Sequence, residues 1–252
     1  SQAQSPAVQT VHLDELLKIA DQQNLSVQAL QKESAYWKQL QASVADQGKT
    51  LLGAEYGKIN SISNDTRFSI SQSFTLPVVY KRQREYYKAG ELSQQALVSW
   101  KQQELHKEIK QVYWLMTDLL HRQQLLQKLD SVYSRVLQAA ALRLKAGESN
   151  QLEKTSAETQ VAQLKIQLTQ LQADLLINQQ KLQWMLNSSA LYLPDLSVIP
   201  EQVALLPDTN SIQAHPFVKY REGQWQMASS QTALERNKLV PDISAGYNNM
   251  SI

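Results

Sequence analysis

Four histidines, His12, His106, His121 and His215, and the carboxylate pair Glu104 and Glu108 are the residues whose types could do chemistry. A metal site would need ligands converging from short regular spacings, such as two His at i and i+4. The histidines are scattered and none pairs with another at that spacing. They read as surface or packed helix residues. Glu104 and Glu108 stand one helix turn apart, as a general acid and a general base could. Lys101, Lys107 and Lys110 surround them, a pattern that reads as a solvated, salt-bridged helix face. No GxSxG, glycine-rich phosphate loop or Walker-type motif occurs in the chain. Each of those would have been a handle for acyl or phosphoryl transfer. The sequence therefore assigns no catalytic, cofactor-binding or metal-ligating residue, and nothing in it argues for an enzyme.

A different constellation lies in "FSISQSFTLPVVYKRQ", residues 68 to 83. Phe68, Ile70, Phe74 and Leu76 alternate with Ser69, Ser71, Ser73 and Thr75, and Pro77 follows. The alternation is that of a strand with one apolar and one hydroxyl face. Proline is tolerated in the first turn of a helix, where its missing N–H is not needed. Lys81, Arg82 and Arg84 then form a small basic cluster. That cluster reads either as an ordinary polar helix start or as a cationic collar at a membrane edge, where Lys and Arg meet phosphate head groups. The hydroxyl face suits the solvent side of a soluble sheet as well as the lumen of a barrel.

The 252 residues carry 25 basic and 23 acidic side chains, a net charge of +2, with no basic stripe. No general attraction to nucleic acid follows from that balance. The absence of Cys removes disulfides, thiolate catalysis and Cys-based metal sites from this sequence. Gln makes up roughly one residue in seven, where ordinary domains are led by Leu, Ala and Gly. Gln is a good helix former without charge, so such helices can pack side by side or line water. No apolar run approaches the roughly 18 residues that a transmembrane helix needs. The opening "SQAQSPAVQT" has no basic segment followed by an apolar core. It is compatible with the start of a mature exported chain and equally with an arbitrary boundary.

Helical periodicity predicts a helix over 11–47, carried by Leu13, Leu16, Leu17, Ala20, Leu30, Ala35 and Trp37, with Asn24 as a point of interruption and Gly48 as its end. Strands are expected over 50–63 and 68–76, joined at "SNDTR" as a hairpin. Leu52, Ala54 and Tyr56 fall on one side of the first strand, and Gly53, Glu55 and Gly57 on the other. Each strand is about the length that a tilted strand needs to cross a bilayer. From 78 to 146 there is no proline and the only glycine is Gly90. A helix over that span would be on the order of 100 Å long. Its heptad line runs through Leu105, Ile109, Val112, Met116, Leu119, Leu126, Tyr133, Leu137, Ala140 and Leu144, with Gln123 and Asp130 as polar exceptions. A second line runs through Leu115, Leu125, Leu129, Val132 and Val136. Two seams imply neighbours on both sides of the helix.

"KAGESNQLEK" reads as a helix–turn–helix joint, with Gly147 in the left-handed position and Asn150 with Glu153 as a capping box, Ser149 competing as N-cap. The following helix, 149–187, repeats Val161, Leu164, Leu168, Leu171, Leu175, Leu182 and Met185, with Asn178 in the seam, and should fold back antiparallel. Residues 188–214 hold Pro194, Pro200 and Pro207 and read as an irregular linker. A helix over about 215–239 and the start of a strand follow. A gapless offset of 191 residues matches Val27 with Val218, Leu52 with Ile243, Ala54 with Ala245 and Tyr56 with Tyr247. The expectation is an internal duplication: 1–187 as a first repeat, 188–214 as a linker, and 215–252 as the start of a second, truncated repeat.

These segments together resemble the outer-membrane efflux factors, the TolC family. "SISQSFTLPVVYKRQ" is similar to the strand-to-helix junction of the heavy-metal efflux branch, the CzcC/CusC-like members. "RLKAGESNQLEKTSAETQVAQLKIQL" is similar to the family's helix–turn–helix, and "HPFVKY" with the later "LVPDISAGY" to the opening of its second repeat. The resemblance covers nearly the whole chain through short, degenerate motifs. It implies a mainly α fold with a β-hairpin, in which long antiparallel coiled-coil helices continue transmembrane β-barrel strands. It implies a homotrimer sharing a twelve-stranded barrel, four strands from each full-length protomer, in the outer membrane and periplasm of a Gram-negative bacterium. It implies a periplasmic adaptor and a proton-driven inner-membrane transporter as partners, and a passive conduit for metal ions or small toxic compounds. In that reading Phe68, Ile70, Phe74 and Leu76 face lipid, Ser69, Ser71, Ser73 and Thr75 face the lumen, and Pro77 marks the junction. Lys145, Gly147, Glu148 and Ser149 would form the adaptor-docking turn. The second hairpin and the lipid-bearing N-terminal cysteine of some members are not among these residues. The rival reading is a periplasmic adaptor or coiled-coil scaffold, which would need Gly-rich short-stranded segments on both sides of its helical hairpin.

Overall fold

The computed structural model describes residues 8–44, 50–58, 62, 64–197, 212–239, 241 and 243–251. Among these the elements run β1 (Val8–Val11), α1 (Leu13–Gln23), α2 (Leu25–Ser43), β2 (Thr50–Gly57), β3 (Asp65–Phe74), α3 (Pro77–Lys145), α4 (Gln151–Leu186), β4 (Leu191–Pro194), α5 (Pro216–Asn237) and β5 (Ile243–Ser251). Two compact units emerge, one from Ser1–Gln28 with Gln102–Leu205 and one from Ala29–Lys101 with Leu206–Ile252. The 69-residue helix α3 contributes to both.

In the first unit α4 packs antiparallel on the second half of α3. The buried core joins Ile109, Val112, Tyr113, Met116 and Leu119 of α3 to Leu171, Leu175, Leu182, Met185 and Leu186 of α4. Leu16 and Ala20 of α1, Val11 of β1 and Tyr192 of β4 complete it. Ile109, Val112, Met116, Leu119, Leu171, Leu175, Leu182 and Met185 are heptad positions read from the sequence, whereas Tyr113, Leu186, Val11 and Tyr192 were not, and burying each large side chain contributes about 1.5–3 kcal/mol. The second apolar line of α3 finds no cover: Leu115, Leu125, Val132 and Val136 remain exposed. Asp130 Oδ1 is buried with no hydrogen-bond partner among the described residues.

The structure corrects the bounds of the expected helix over 11–47, since Val11 belongs to β1 and the helical residues run from Leu13 to Ser43, and the interruption expected at Asn24 is present. Asn24 divides it into α1 and α2, with its backbone extended. The Asn24 side chain accepts the Val27 N–H at 3.0 Å and donates to the Met185 carbonyl at 2.8 Å. An amide that caps one helix and ties it to another is worth more here than one more helical turn. Gly48, the expected end, lies outside the described residues.

The stretch expected as an irregular linker begins with a strand. β4 pairs in parallel with β1, Val8 opposite Leu191 through Val11 opposite Pro194. Neither strand was expected, because four residues are too few to show alternation and their partners are remote in sequence. Pro200 and Pro207 lie outside the described residues.

In the second unit β3 is the middle strand of a three-stranded antiparallel sheet, ordered β2-β3-β5. β2 ends at Gly57, shorter than the expected 50–63, although part of the remainder lies outside the described residues. β3 occupies 65–74 rather than 68–76. Asp65, Thr66 and Arg67, expected in the turn, are in the ladder, while Thr75 and Leu76 have left it. At its C-terminal side the strand gives way to α3, which begins at Pro77. The residue before a proline is turned away from helix, and the Leu76 carbonyl is taken by the Val79 N–H at 2.9 Å, opening α3 rather than extending β3.

Candidate functional site

The sheet sorts its side chains by chemistry. The register places Leu52, Ala54 and Tyr56 of β2, Phe68, Ile70 and Phe74 of β3, and Ile243, Ala245 and Tyr247 of β5 on one face, with the polar residues Thr50, Thr66, Gln72 and Asn249 among them. Leu52 is 78% exposed, Tyr247 67% and Phe68 61%, so nothing among the described residues covers this face. A largely apolar exposed face, interrupted on its middle strand by Gln72, suits contact with another molecule or with lipid. The opposite face carries Gly53, Glu55, Arg67, Ser69, Ser71, Ser73, Ser244, Gly246 and Asn248, with Leu51 as an apolar exception opposite Ser71. Arg67 meets Glu55 there at 3.2 Å. A Cβ at Gly53 would fall 2.5 Å from Ser69 Oγ, so the small residue gives the hydroxyl its place. The sequence assigned the two faces over residues 68–76; the strand ends at Phe74, so Thr75 and Leu76 are in the link to α3 and continue neither face. Pro77 is the first residue of that helix.

The turn between α3 and α4 is locked by backbone geometry. Gly147 has φ 74°, and its N–H reaches the Leu144 carbonyl at 3.1 Å while Glu148 N–H reaches that of Arg143 at 2.9 Å. The pair of bonds is a Schellman motif, which ends a helix with a left-handed residue. Asn150 is the N-cap of α4 and accepts the Glu153 N–H at 3.0 Å. The Glu153 carboxylate does not return to the cap residue's backbone. It takes Arg143 across the turn at 2.9 Å and the hydroxyl of Ser149. Sequence reasoning missed Arg143; opposite charges straddling a glycine turn were the available signal. Lys145, Gly147 and Glu148 are exposed and Ser149 is half-buried.

The histidines are dispersed. His12 lies 3.5 Å from Asp195, and His106 is 2.8 Å from Asp21. His215 caps α5, its Nδ1 accepting the Phe217 N–H at 3.2 Å. Among the described residues no cluster of His and carboxylates could hold a metal ion, and no helix is long and apolar enough to cross a membrane. Asp195 also accepts the Ser197 N–H at 2.8 Å. That bond, with a smaller contribution from His12, holds its carboxyl below the usual carboxylate range. Tyr113, fully buried, donates to the Val11 carbonyl at 3.4 Å, and its burial pushes the phenol above the ordinary tyrosine value.

Solved structures share this arrangement. CusC superposes with a TM-score of 0.76 at 16% identity, covering 99% of this chain and 63% of its own. The outer-membrane channel OprN gives 0.74 at 15%, covering 95% and 63%. The outer membrane channel CmeC of Campylobacter jejuni gives 0.69 at 12%, covering 95% and 61%. The fold is that of TolC-type outer-membrane channels. The chain spans under two thirds of the length of each of these three channels. No protein-family model matches it, and no curated protein does.

Proposed function

We propose that this chain is part of an outer-membrane channel subunit, a passive duct through which a tripartite pump exports metal ions or small toxic compounds. The observation that carries the reading is the three-stranded sheet, mostly apolar on one face apart from Gln72 and its polar neighbours and mostly polar on the other apart from Leu51, whose central strand passes through two residues into a 69-residue helix that begins at Pro77. A barrel wall needs that alternation, with the apolar side to lipid and the polar side to water. The two flanking strands each leave one edge unpaired among the described residues. Within a bilayer such edges must be paired, which further strands of the full-length protein or of other copies would do. In this reading Phe68, Ile70 and Phe74 face lipid and Ser69, Ser71 and Ser73 face the lumen.

The same reading accounts for the exposed Leu115, Leu125, Val132 and Val136 of α3, and for half-buried Asp130 with its unpartnered Oδ1, as surfaces that meet neighbouring helices of a homotrimer. Helices in side-by-side contact would continue the duct in the periplasm. Lys145, Gly147, Glu148 and Ser149 would present the docking turn to a periplasmic adaptor, linked to a proton-driven inner-membrane transporter. An internal duplication is supported by matching starts: α2 and α5 begin 191 residues apart, after Asn24 and His215, whose side chains each accept a backbone N–H. Each helix precedes a strand that pairs antiparallel with β3.

The test is site-directed spin labelling along residues 68–74 of the full-length protein in lipid. Oxygen access at Phe68, Ile70 and Phe74, alternating with access of an aqueous quencher at Ser69, Ser71 and Ser73, is the expected pattern. Uniform aqueous access would sink the reading and leave a soluble scaffold in its place.

A further inference from the structure

The opening turns of α3 carry a cationic stripe with no ion-pair partner among the described residues. Lys81, Arg84 and Lys88 recur at intervals of three and four residues, so they share one helix face. With Pro77, Tyr80 and Glu85 they line a single surface groove. Glu85, the groove's carboxylate, is held by Arg82 at 2.8 Å. Lys81, Arg84 and Lys88 are exposed, and among the described residues none is in an ion pair. Three like charges on one face, next to the positive end of a helix dipole, repel one another until an anion joins them.

The position of the groove narrows what that anion is. The register sets the start of β2, the end of β3 and the start of β5 along one edge of the sheet, Thr50 opposite Gln72 and Ile243 opposite Phe74. α3 begins three residues past the end of β3. At 1.5 Å per residue the stripe ends within about 17 Å of the helix start. The same turns hold an aromatic cluster, Trp37 with Tyr86 and Tyr87 at centroid distances of 5.9 and 6.2 Å. Tyr, Trp, Lys and Arg gathered beside the end of an apolar band is the composition of a membrane–water interface. The whole chain carries a net charge of only +2, so the attraction is local to this groove.

We propose that the groove formed by Lys81, Arg84 and Lys88 binds the phosphate head group of an anionic phospholipid in the leaflet beside the helical edge of the sheet. This rests on the channel-subunit reading. The full-length protein, carrying a spin label at Phe68, is placed in nanodiscs of phosphatidylglycerol and phosphatidylcholine. Phosphatidylglycerol retained per subunit is read by native mass spectrometry. The variant is Lys81→Gln with Arg84→Gln and Lys88→Gln. The control, Lys128→Gln with Lys165→Gln and Lys181→Gln, removes the same charge elsewhere. Each lost cation is worth about fivefold in binding to an anionic surface, so the variant should lose phosphatidylglycerol enrichment at least tenfold. The control should keep it, and the label should still report lipid in both. Unchanged enrichment in the variant, or an equal loss in the control, overturns the lipid site while a lipid-exposed label leaves the channel reading standing. A label in water in every sample overturns the channel reading and the lipid site with it.

Discussion

Trp37 of α2 lies so close to Gly90 of α3 that a Cβ at position 90 would stand 2.5 Å from the indole Cε3. A glycine inside an exposed helix costs about 1 kcal/mol relative to alanine, so its presence in mid-helix is explained by this contact. Gly223 of α5 plays the same part against Ser93, where a Cβ would be 2.8 Å from the backbone Cα. The two glycines let α2 and α5 approach α3 closely.

Gly90→Ala should therefore destabilise the protein despite its better helix propensity. Overpacking costs about 1–3 kcal/mol, which exceeds the propensity gain. Urea unfolding of the variant should show a lower midpoint with an unchanged slope. A higher midpoint would mean that the indole yields freely and that the contact is loose.

Gly147→Ala should cost about 1–2 kcal/mol, the penalty for holding an L-residue in the left-handed region. Glu153→Ala removes the pairing with Arg143 across the turn, an exposed contact worth about 0.2–1 kcal/mol. Thermal unfolding should rank Gly147→Ala as the more damaging change. The reverse order would show that the charge pair, not the backbone, holds the turn.

A charge on either face of β3 separates a membrane strand from a soluble one. Ile70→Lys should cost about 2–4 kcal/mol in bilayers if its face meets lipid at mid-depth, and Ser71→Lys on the opposite face should cost much less. Folding stability of the full-length protein in phosphatidylcholine vesicles reads the difference. Equal effects would remove the facial assignment.

The corner around Asp195 and Tyr113 predicts opposite pH limbs. Asp195 has a lowered folded pKa, so its contribution is present above the unfolded value, about 4, and is lost as pH falls through the folded one. Tyr113 has a raised pKa, so its contribution is full below about 10 and is lost as pH rises through the higher folded value. Asp195→Asn should flatten the acid limb of melting temperature against pH, and Tyr113→Phe the alkaline limb. Wild-type slopes in both variants would contradict the assignment.

The amino-acid order alone determined the long helices, their seam residues and the glycine turn, because each is written in local periodicity. Ile109, Val112, Met116, Leu171, Leu175 and Leu182 were legible as core since a 3.5-residue repeat on both helices leaves one face to bury. The alternation within residues 68–74, Gln72 excepted, was legible at period two, whereas the end of the strand before Thr75 and Leu76 was not. Tertiary structure decided the rest. β1 and β4 are too short to announce themselves and exist because each pairs with the other. The end of β3 was decided by competition for the Leu76 carbonyl, which the start of α3 took. The partner of β5 was decided by the free edge of β3. The joining of Glu153 to Arg143 needed the chain to reverse first. Local pattern fixes what an element is; the partners that satisfy its edges, ends and charges exist only once the chain has folded.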